Sequence, residues 1–107
     1  MTATFTRVVK KRTTETWKCG FNFQRRLAVG ETISAATFTI EVHSGVDPHP
    51  SVMLVGGGSS PTIDGPTVVN LIQGGVDGVT YCVRAQVTTS QGGVWEHVAR
   101  LEVDDAC

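Results

Sequence analysis

Three histidines are the first candidates for chemistry, because imidazole is the side chain that most often binds metals or moves protons near neutral pH. His43 and His49 flank a loop that contains proline and glycine, whereas His97 lies far along the chain. No Asp or Glu completes a known metal-ligand spacing with them. We therefore expect three solvated or hydrogen-bonded histidines, with no metal site and no cofactor.

Two further patterns match catalytic or phosphate-binding motifs only in part. The stretch GGGSS at 56–60 is rich in glycine, but it lacks the lysine of a phosphate-binding loop and no helical pattern follows it. Serine, histidine and aspartate all occur, but no serine has the strand–turn–helix context of a nucleophile elbow. The sequence accordingly predicts no catalytic residues and a protein that is not an enzyme.

Cysteine usage indicates a reducing compartment. The three cysteines, Cys19, Cys82 and Cys107, show no C-x-x-C spacing, and an odd number leaves one unpaired in a monomer. Cys19 alternates with aromatic residues and is predicted to lie in the core, while Cys82 is predicted to face away from it. We expect no intramolecular disulfide. Because the first residues lack the apolar segment of a signal peptide and no apolar run has the length of a membrane span, we expect synthesis in the cytoplasm.

Charge is distributed unevenly along the 107 residues, although the net charge is only −1. Residues 1–26 contain seven basic side chains and one acid, whereas residues 27–107 contain two basic side chains and nine acids. This separation favours contact between copies, or docking of a basic segment on an acidic partner. Nucleic acid is disfavoured as a partner, because the acidic body would repel phosphate and no nucleic-acid-binding motif is present.

The elements that must carry these residues are β-strands, since apolar and polar residues alternate and no segment shows a helical period. Long strands are predicted over 17–23, 32–43, 81–88 and 94–103, and shorter ones over 52–55 and 67–73. A change of face near Ala35-Ala36 predicts a bulge. Strands separated by turns every 8–12 residues favour an all-β fold, an antiparallel immunoglobulin-like β-sandwich of about seven strands. The predicted core comprises Trp17, Phe21, Phe23, Phe38, Ile40, Val42, Tyr81, Val83, Ala85, Leu101 and Val103.

The stretch DGVTY at 77–81 is similar to the tyrosine corner of immunoglobulin-like domains, in which the phenol hydroxyl binds the backbone of the corner. Val83 occupies the position where antibody domains carry their second core cysteine. The resemblance is therefore to the sandwich without its disulfide.

Four longer segments carry a resemblance to a family: GFNF at 20–23, LAVGETISAA at 27–36, GGVDGVTY at 74–81 and TTSQG at 88–92. Together they resemble small structural proteins of tailed bacteriophages known as fiber–tail adaptor proteins, over about Trp17–Val103. The resemblance implies a virion component near the tail, neck or fibers that is assembled in the host cytoplasm. Its implied partners are other virion proteins and copies of itself. Two alternatives remain open at this point, a capsid decoration protein and a ligand- or carbohydrate-binding sandwich.

The chain is predicted to divide into an extended basic arm, residues 1–14, and a sandwich domain, residues 15–107. The arm combines apolar and basic residues without a clear period, so we expect it to dock on a neighbouring copy rather than on its own domain. A solvated, disordered arm and docking on a different virion protein are the two alternatives. Its acidic target would be Glu96, Glu102, Asp104 and Asp105. The predicted partner contacts are Phe5, Arg7, Val8, Val9, Lys10, Lys11, Arg12 and Trp95. For Trp95, a place at the rim of the core is an equal alternative.

Overall fold

Seven strands form two facing sheets in the computed structural model, which describes residues 7–106. In chain order, the strands are β1 (Arg7–Lys11), β2 (Thr16–Asn22), β3 (Ile33–Ser44), β4 (Thr62–Asp64), β5 (Thr67–Gln73), β6 (Thr80–Thr89) and β7 (Val94–Val103). A four-stranded sheet has the order β1-β7-β6-β3, and a three-stranded sheet has the order β2-β5-β4. All neighbouring strands run antiparallel except β1 and β7, which are parallel. Within these residues no helix is long and apolar enough to cross a membrane.

This strand order confirms the predicted all-β sandwich. If the strands are lettered A to G along the chain, one sheet contains B-E-D and the other contains C-F-G, which is the division found in immunoglobulin domains. Strand A, here β1, pairs with G rather than with B. The fold places the turns that join β2 to β3 and β6 to β7 at one end of the sandwich, and the turns before β2 and before β6 at the other.

The core forms where the alternating faces of the two sheets meet. Of the eleven predicted core residues, nine are buried, and Trp17 and Val42 are half-buried against them. Cys19 is also buried, whereas Cys82 is half-buried on the opposite face of its strand, as the alternation predicts. The sequence reasoning did not place several further members of the core, which are Ile33, Met53, Leu54, Val68, Ile72, Val79, Val87 and Ala99.

The predicted tyrosine corner is present at the start of β6. Val76 N donates a hydrogen bond to Tyr81 Oη at 3.0 Å, and this hydroxyl donates to Asp47 Oδ2 at 2.8 Å. Tyr81 is fully buried, and burial together with the Asp47 bond raises its pKa to about 12. The corner therefore fixes the turn before β6 to the connection that follows β3.

The prediction of a short strand over 52–55 is wrong. Residues Pro50–Met53 form a short 3-10 helix, Val55–Gly58 form a 3-10 segment that is interrupted at Gly56 and Gly57, and only Leu54 makes an isolated bridge, to Ile72. Proline removes a ladder donor, and Gly56 and Gly57 adopt left-handed φ values that no strand contains. The bulge expected near Ala35-Ala36 occurs between Ile33 and Ala35.

The expectation that the N-terminal segment would not pack on its own domain is wrong for residues 7–11. These residues form β1, whose register places Arg7 opposite Ala99 and Lys11 opposite Val103 of the same chain. The first six residues lie outside the described part of the chain, so the division at residue 14 stays a prediction for them.

Candidate functional site

Strand β1 presents alternate residues to the core and to solvent. Val9 packs against the core, and Lys11 lies on the same side of the strand. Val8, which is 53% exposed, and Lys10 lie on the outward side. Among the predicted arm contacts, Val8 and Lys10 are therefore available to a partner, whereas Val9 and Lys11 hold the strand in place.

Lys11 is a buried lysine that is satisfied by backbone carbonyls. Its side chain is 1% exposed, and Nζ donates to the carbonyl oxygens of Gly74 and Arg12, both at 2.7 Å. Burial lowers the pKa of Lys11, and the negative charges of Glu15 and Asp105 partly oppose this shift. The ammonium group joins the end of β1 to the turn that precedes the tyrosine corner.

A group of hydrogen bonds, which we name the terminal clasp, joins Arg12 and Thr13 to Asp105, and Asp105 to Asp77. Thr13 N and Thr13 Oγ1 donate to the carboxylate of Asp105 at 2.9 and 2.7 Å, and Arg12 Nη1 donates to the Asp105 carbonyl at 3.2 Å. Asp105 N in turn donates to Asp77 Oδ1 at 2.9 Å. The two bonds from Thr13 lower the pKa of Asp105, with smaller contributions from Arg12 and Lys11. The clasp thus ties the described end of the chain to the turn after β1.

Part of the charge complementarity that was expected between copies is therefore satisfied within one chain. The basic segment does meet Asp105, but it meets the Asp105 of its own domain. Phe5 lies outside the described residues, and so does the side chain of Arg7. Their roles as partner contacts remain proposals.

Trp95 lies at the opposite end of the sandwich, at the start of β7. Its ring is 37% exposed, and the guanidinium carbon of Arg26 lies 5.1 Å from the ring centroid. This stacking combines cation–π attraction with packing of the arginine side chain. Nearby, Glu31 accepts a hydrogen bond from Thr89 Oγ1, and this bond lowers the pKa of Glu31. Trp95 is therefore an exposed aromatic residue at this end of the sandwich, and its contact with a partner remains a proposal.

The structure does not bring the three histidines together. His97 is half-buried, with its ring centroid 4.2 Å from that of Phe23, and burial and the nearby Arg26 lower its pKa. His43 and His49 are exposed elsewhere. Across residues 7–106 no group of three His, Cys, Asp or Glu side chains is arranged to hold a metal ion. A cleft of about 440 Å³ borders the connection that follows β3 and is lined in part by Asp47, His49 and Gln73.

Two arginines on the outward face of the four-stranded sheet were not singled out by the sequence reasoning. Arg84 Nη2 lies 2.7 Å from Glu41 Oε1, while the Nε atoms of Arg84 and Arg100 are shielded from solvent and have no hydrogen-bond acceptor. Two features of the sequence could have identified them. They are the only Lys or Arg residues after residue 26, and both alternate with the buried residues of their strands, so they face outward.

Comparison with protein-family models matches residues 11–102 to the family described as podophage GP4 fiber-tail adaptor protein gp77. The matched range begins at the last residue of β1 and ends one residue before the end of β7, so it includes both sheets. Comparison with curated proteins finds no match.

Proposed function

Because this chain belongs to the podophage fiber-tail adaptor family gp77, a family of phage tail structural proteins, we propose that it joins fibers to the tail as a non-enzymatic adaptor present in multiple symmetric copies. The single observation that carries this proposal is the family match over both sheets of the sandwich. The proposed partners are tail or fiber subunits of the virion and neighbouring copies of the chain.

The shape of the domain supports a role between two partners. The terminal clasp and the Trp95 end lie at opposite ends of β7, which has ten residues and a length of about 33 Å at the usual rise per residue. An adaptor needs two separate contact surfaces, and a rigid sandwich holds its two ends at a fixed distance. We propose that Trp95 contributes to one contact and that the N-terminal segment contributes to the other.

The structure narrows the set of residues that we propose as direct contacts of the N-terminal segment. Val8, Lys10 and Arg12 are exposed, so they are proposed to touch the partner together with Phe5 and Arg7. Val9 and Lys11 are proposed to act indirectly, by keeping β1 in the sheet. Exposed ion pairs alone contribute little, so burial of Val8 and Phe5 would be needed for firm attachment.

The proposal is tested with phage whose copy of the gene is inactivated. We expect particles that retain a tail but lack fibers, and we expect the purified protein to restore fiber attachment when it is added back. Reconstruction of complete virions by electron cryomicroscopy should show the sandwich at the junction of tail and fiber in symmetric copies. Density on the capsid surface would instead identify a decoration protein and refute the adaptor role.

A further inference from the structure

The outward face of the four-stranded sheet has no covering layer among the described residues. Its inner face packs on the three-stranded sheet, whereas outward residues of all four strands lie side by side. The register aligns two central rows across this face, which are Val8–Arg100–Cys82–Glu41 and Val98–Arg84–Thr39.

Arg84 and Arg100 are diagonal neighbours at the centre of this face, because Arg100 pairs with Cys82 and Arg84 with Val98. Diagonal pairs in a sheet lie about 7–8 Å apart, within reach of long side chains. Glu41 forms an ion pair with one Nη group of Arg84, whereas the side chain of Arg100 forms no hydrogen bond or ion pair within the described part of the chain. Two guanidinium groups therefore have unused donors at one place on the sheet.

The Nε–H groups of both arginines are unsatisfied hydrogen-bond donors. Each is shielded from water and has no acceptor, a condition that native structures rarely leave uncorrected. A carboxylate that meets a guanidinium side-on accepts from Nε–H and one Nη–H together. A small rotation of either side chain toward such a carboxylate would satisfy the donor that is unpaired in the isolated domain.

The surroundings of the arginines have the composition of an interface. Val8 is exposed, and Val98 and Cys82 are half-buried beside them, which provides apolar area next to the charges. Glu96 and Glu102 lie farther out on β7. Arginine among apolar residues at the centre, with charges at the edge, is the arrangement typical of binding hot spots.

We propose that this face docks a partner protein through carboxylate side chains, with Arg100 and Arg84 as the anchors. The proposal rests on the adaptor role for the nature of the partner, a protein of the tail or fiber, and it adds the surface and its chemistry. Nucleic acid fits less well, because Glu41, Glu96 and Glu102 border the arginines and would repel a continuous phosphate backbone. A protein surface can present a carboxylate to each arginine and basic groups to these glutamates.

Add-back to particles that lack the protein tests the surface in its assembled context. Arg100→Gln is expected to lower the affinity for these particles at least tenfold, and Arg84→Gln to lower it by a smaller factor because Glu41 already holds that side chain. Lys18→Gln is the matched control, since Lys18 is exposed on the outward side of β2 in the other sheet, and it should bind within twofold of the parent. Arg100→Lys keeps the positive charge but lacks the paired N–H donors of a guanidinium group, so it should retain only part of the affinity for the particles.

A second measurement separates failure of this inference from failure of the adaptor role. Decaglutamate is titrated into the full-length, nitrogen-15-labelled protein, and the Nε–Hε signals of Arg84 and Arg100 are followed by nuclear magnetic resonance. Selective shifts of these two signals, absent with a ten-nucleotide single-stranded DNA, are expected. The proposed docking surface would be overturned if Arg100→Gln bound the particles with the affinity of the parent protein. It would also be overturned if DNA shifted the two Nε–Hε signals as much as the peptide does. Parent protein that does not bind tails would refute the adaptor role, and the peptide titration would still decide the chemistry of the face.

Discussion

The hydroxyl of Tyr81 is both an acceptor and a donor, and both partners depend on it. Replacing Tyr81 with Phe leaves Val76 N–H and the Asp47 carboxylate without this partner while keeping the ring in place. We expect the free energy of unfolding to fall by about 2 kcal/mol, because two polar groups lose their bonds to a buried oxygen. Urea denaturation measures this change.

The Asp47→Ala variant and the double variant complete the cycle for the corner. Since Asp47 Oδ2 acts through the hydroxyl, the two substitutions together should cost less than the sum of their separate effects. Additive effects, or a Tyr81→Phe protein as stable as the parent, would contradict the role given to this corner.

His97 predicts how stability depends on pH. Its folded-state pKa is lowered, first by burial and then by Arg26, so the folded protein favours the neutral ring. The unfolded chain takes up a proton near the ordinary pKa of about 6.5, so the stability is fully present above that pH and is lost as the pH falls through it. We expect the parent to lose more stability between pH 8 and pH 5.5 than His97→Gln does.

The His43→Gln variant is the control for this comparison, because it makes the same substitution at an exposed histidine. Asp105 and Glu31, whose pKa values are also lowered, contribute stability that is lost at lower pH, as their carboxylates become protonated. Equal pH dependence in the parent and in His97→Gln would show that His97 is not buried as described.

At this scale the sequence predicts bonds between near neighbours better than bonds between distant residues. The bond from Val76 N to Tyr81 Oη follows from a local motif, and its partners are five residues apart. Asp47 is 34 residues away from Tyr81, so its part in the corner depends on how the loop after β3 folds. No local pattern specifies that loop, which explains why Asp47 was not assigned a role.

At the scale of elements, the 3-10 segment Val55–Gly58 depends on a close approach of backbone to backbone. A Cβ added at Gly58, where φ is +80°, would lie 2.4 Å from the carbonyl oxygen of Phe38. Gly58→Ala should therefore cost several kcal/mol, from the strained backbone and the clash together, with an expected total of about 3 kcal/mol. Thermal or urea unfolding gives the value.

Gly56 provides the matched control in the same segment. Its φ is +75°, but a Cβ there would meet no atom within 4 Å, so Gly56→Ala should cost only the backbone term of about 1 kcal/mol. The difference between the two variants measures the contact with β3. Equal losses of unfolding free energy in the two variants would mean that Gly58 does not lie against the backbone of Phe38.

Strand β1 shows why the sequence predicted some elements and not others. The long strands over 17–23, 81–88 and 94–103 have a clear period of two and were predicted nearly to their ends. In β1, Lys11 lies on the inward side, so the alternation of apolar and polar residues is broken. The carbonyls of Gly74 and Arg12 make this position acceptable for a lysine, and they are supplied by tertiary structure that the sequence pattern does not reveal.

At the scale of the whole molecule, the charge separation between the N-terminal segment and the rest of the chain is satisfied partly within one domain. It indicated that the basic N-terminal segment would meet acidic residues, and the terminal clasp uses Asp105 in this way. The fold class and the family could be predicted, because strands, turns and corner leave patterns along the chain. The outward face with Arg84 and Arg100 could not, because it exists only once four strands from both halves of the chain are aligned.

The last prediction concerns residues 1–6, which precede Arg7, the first residue of β1. Deletion of these six residues leaves β1, Lys11 and the terminal clasp intact, so the free energy of unfolding should change by no more than about 0.5 kcal/mol. If the N-terminal segment is a tether, the truncated protein should nevertheless bind adaptor-deficient particles at least tenfold more weakly.

Deletion of residues 1–11 is the contrasting variant: it removes β1 and the Lys11 bonds, so it should lower stability as well as binding. Phe5→Ser in the full-length chain should reproduce most of the loss of binding, because an arm held only by exposed charges would attach weakly. If the protein that lacks residues 1–6 were incorporated into virions at the copy number of the parent, the tether would be excluded. Attachment would then depend on the sandwich alone.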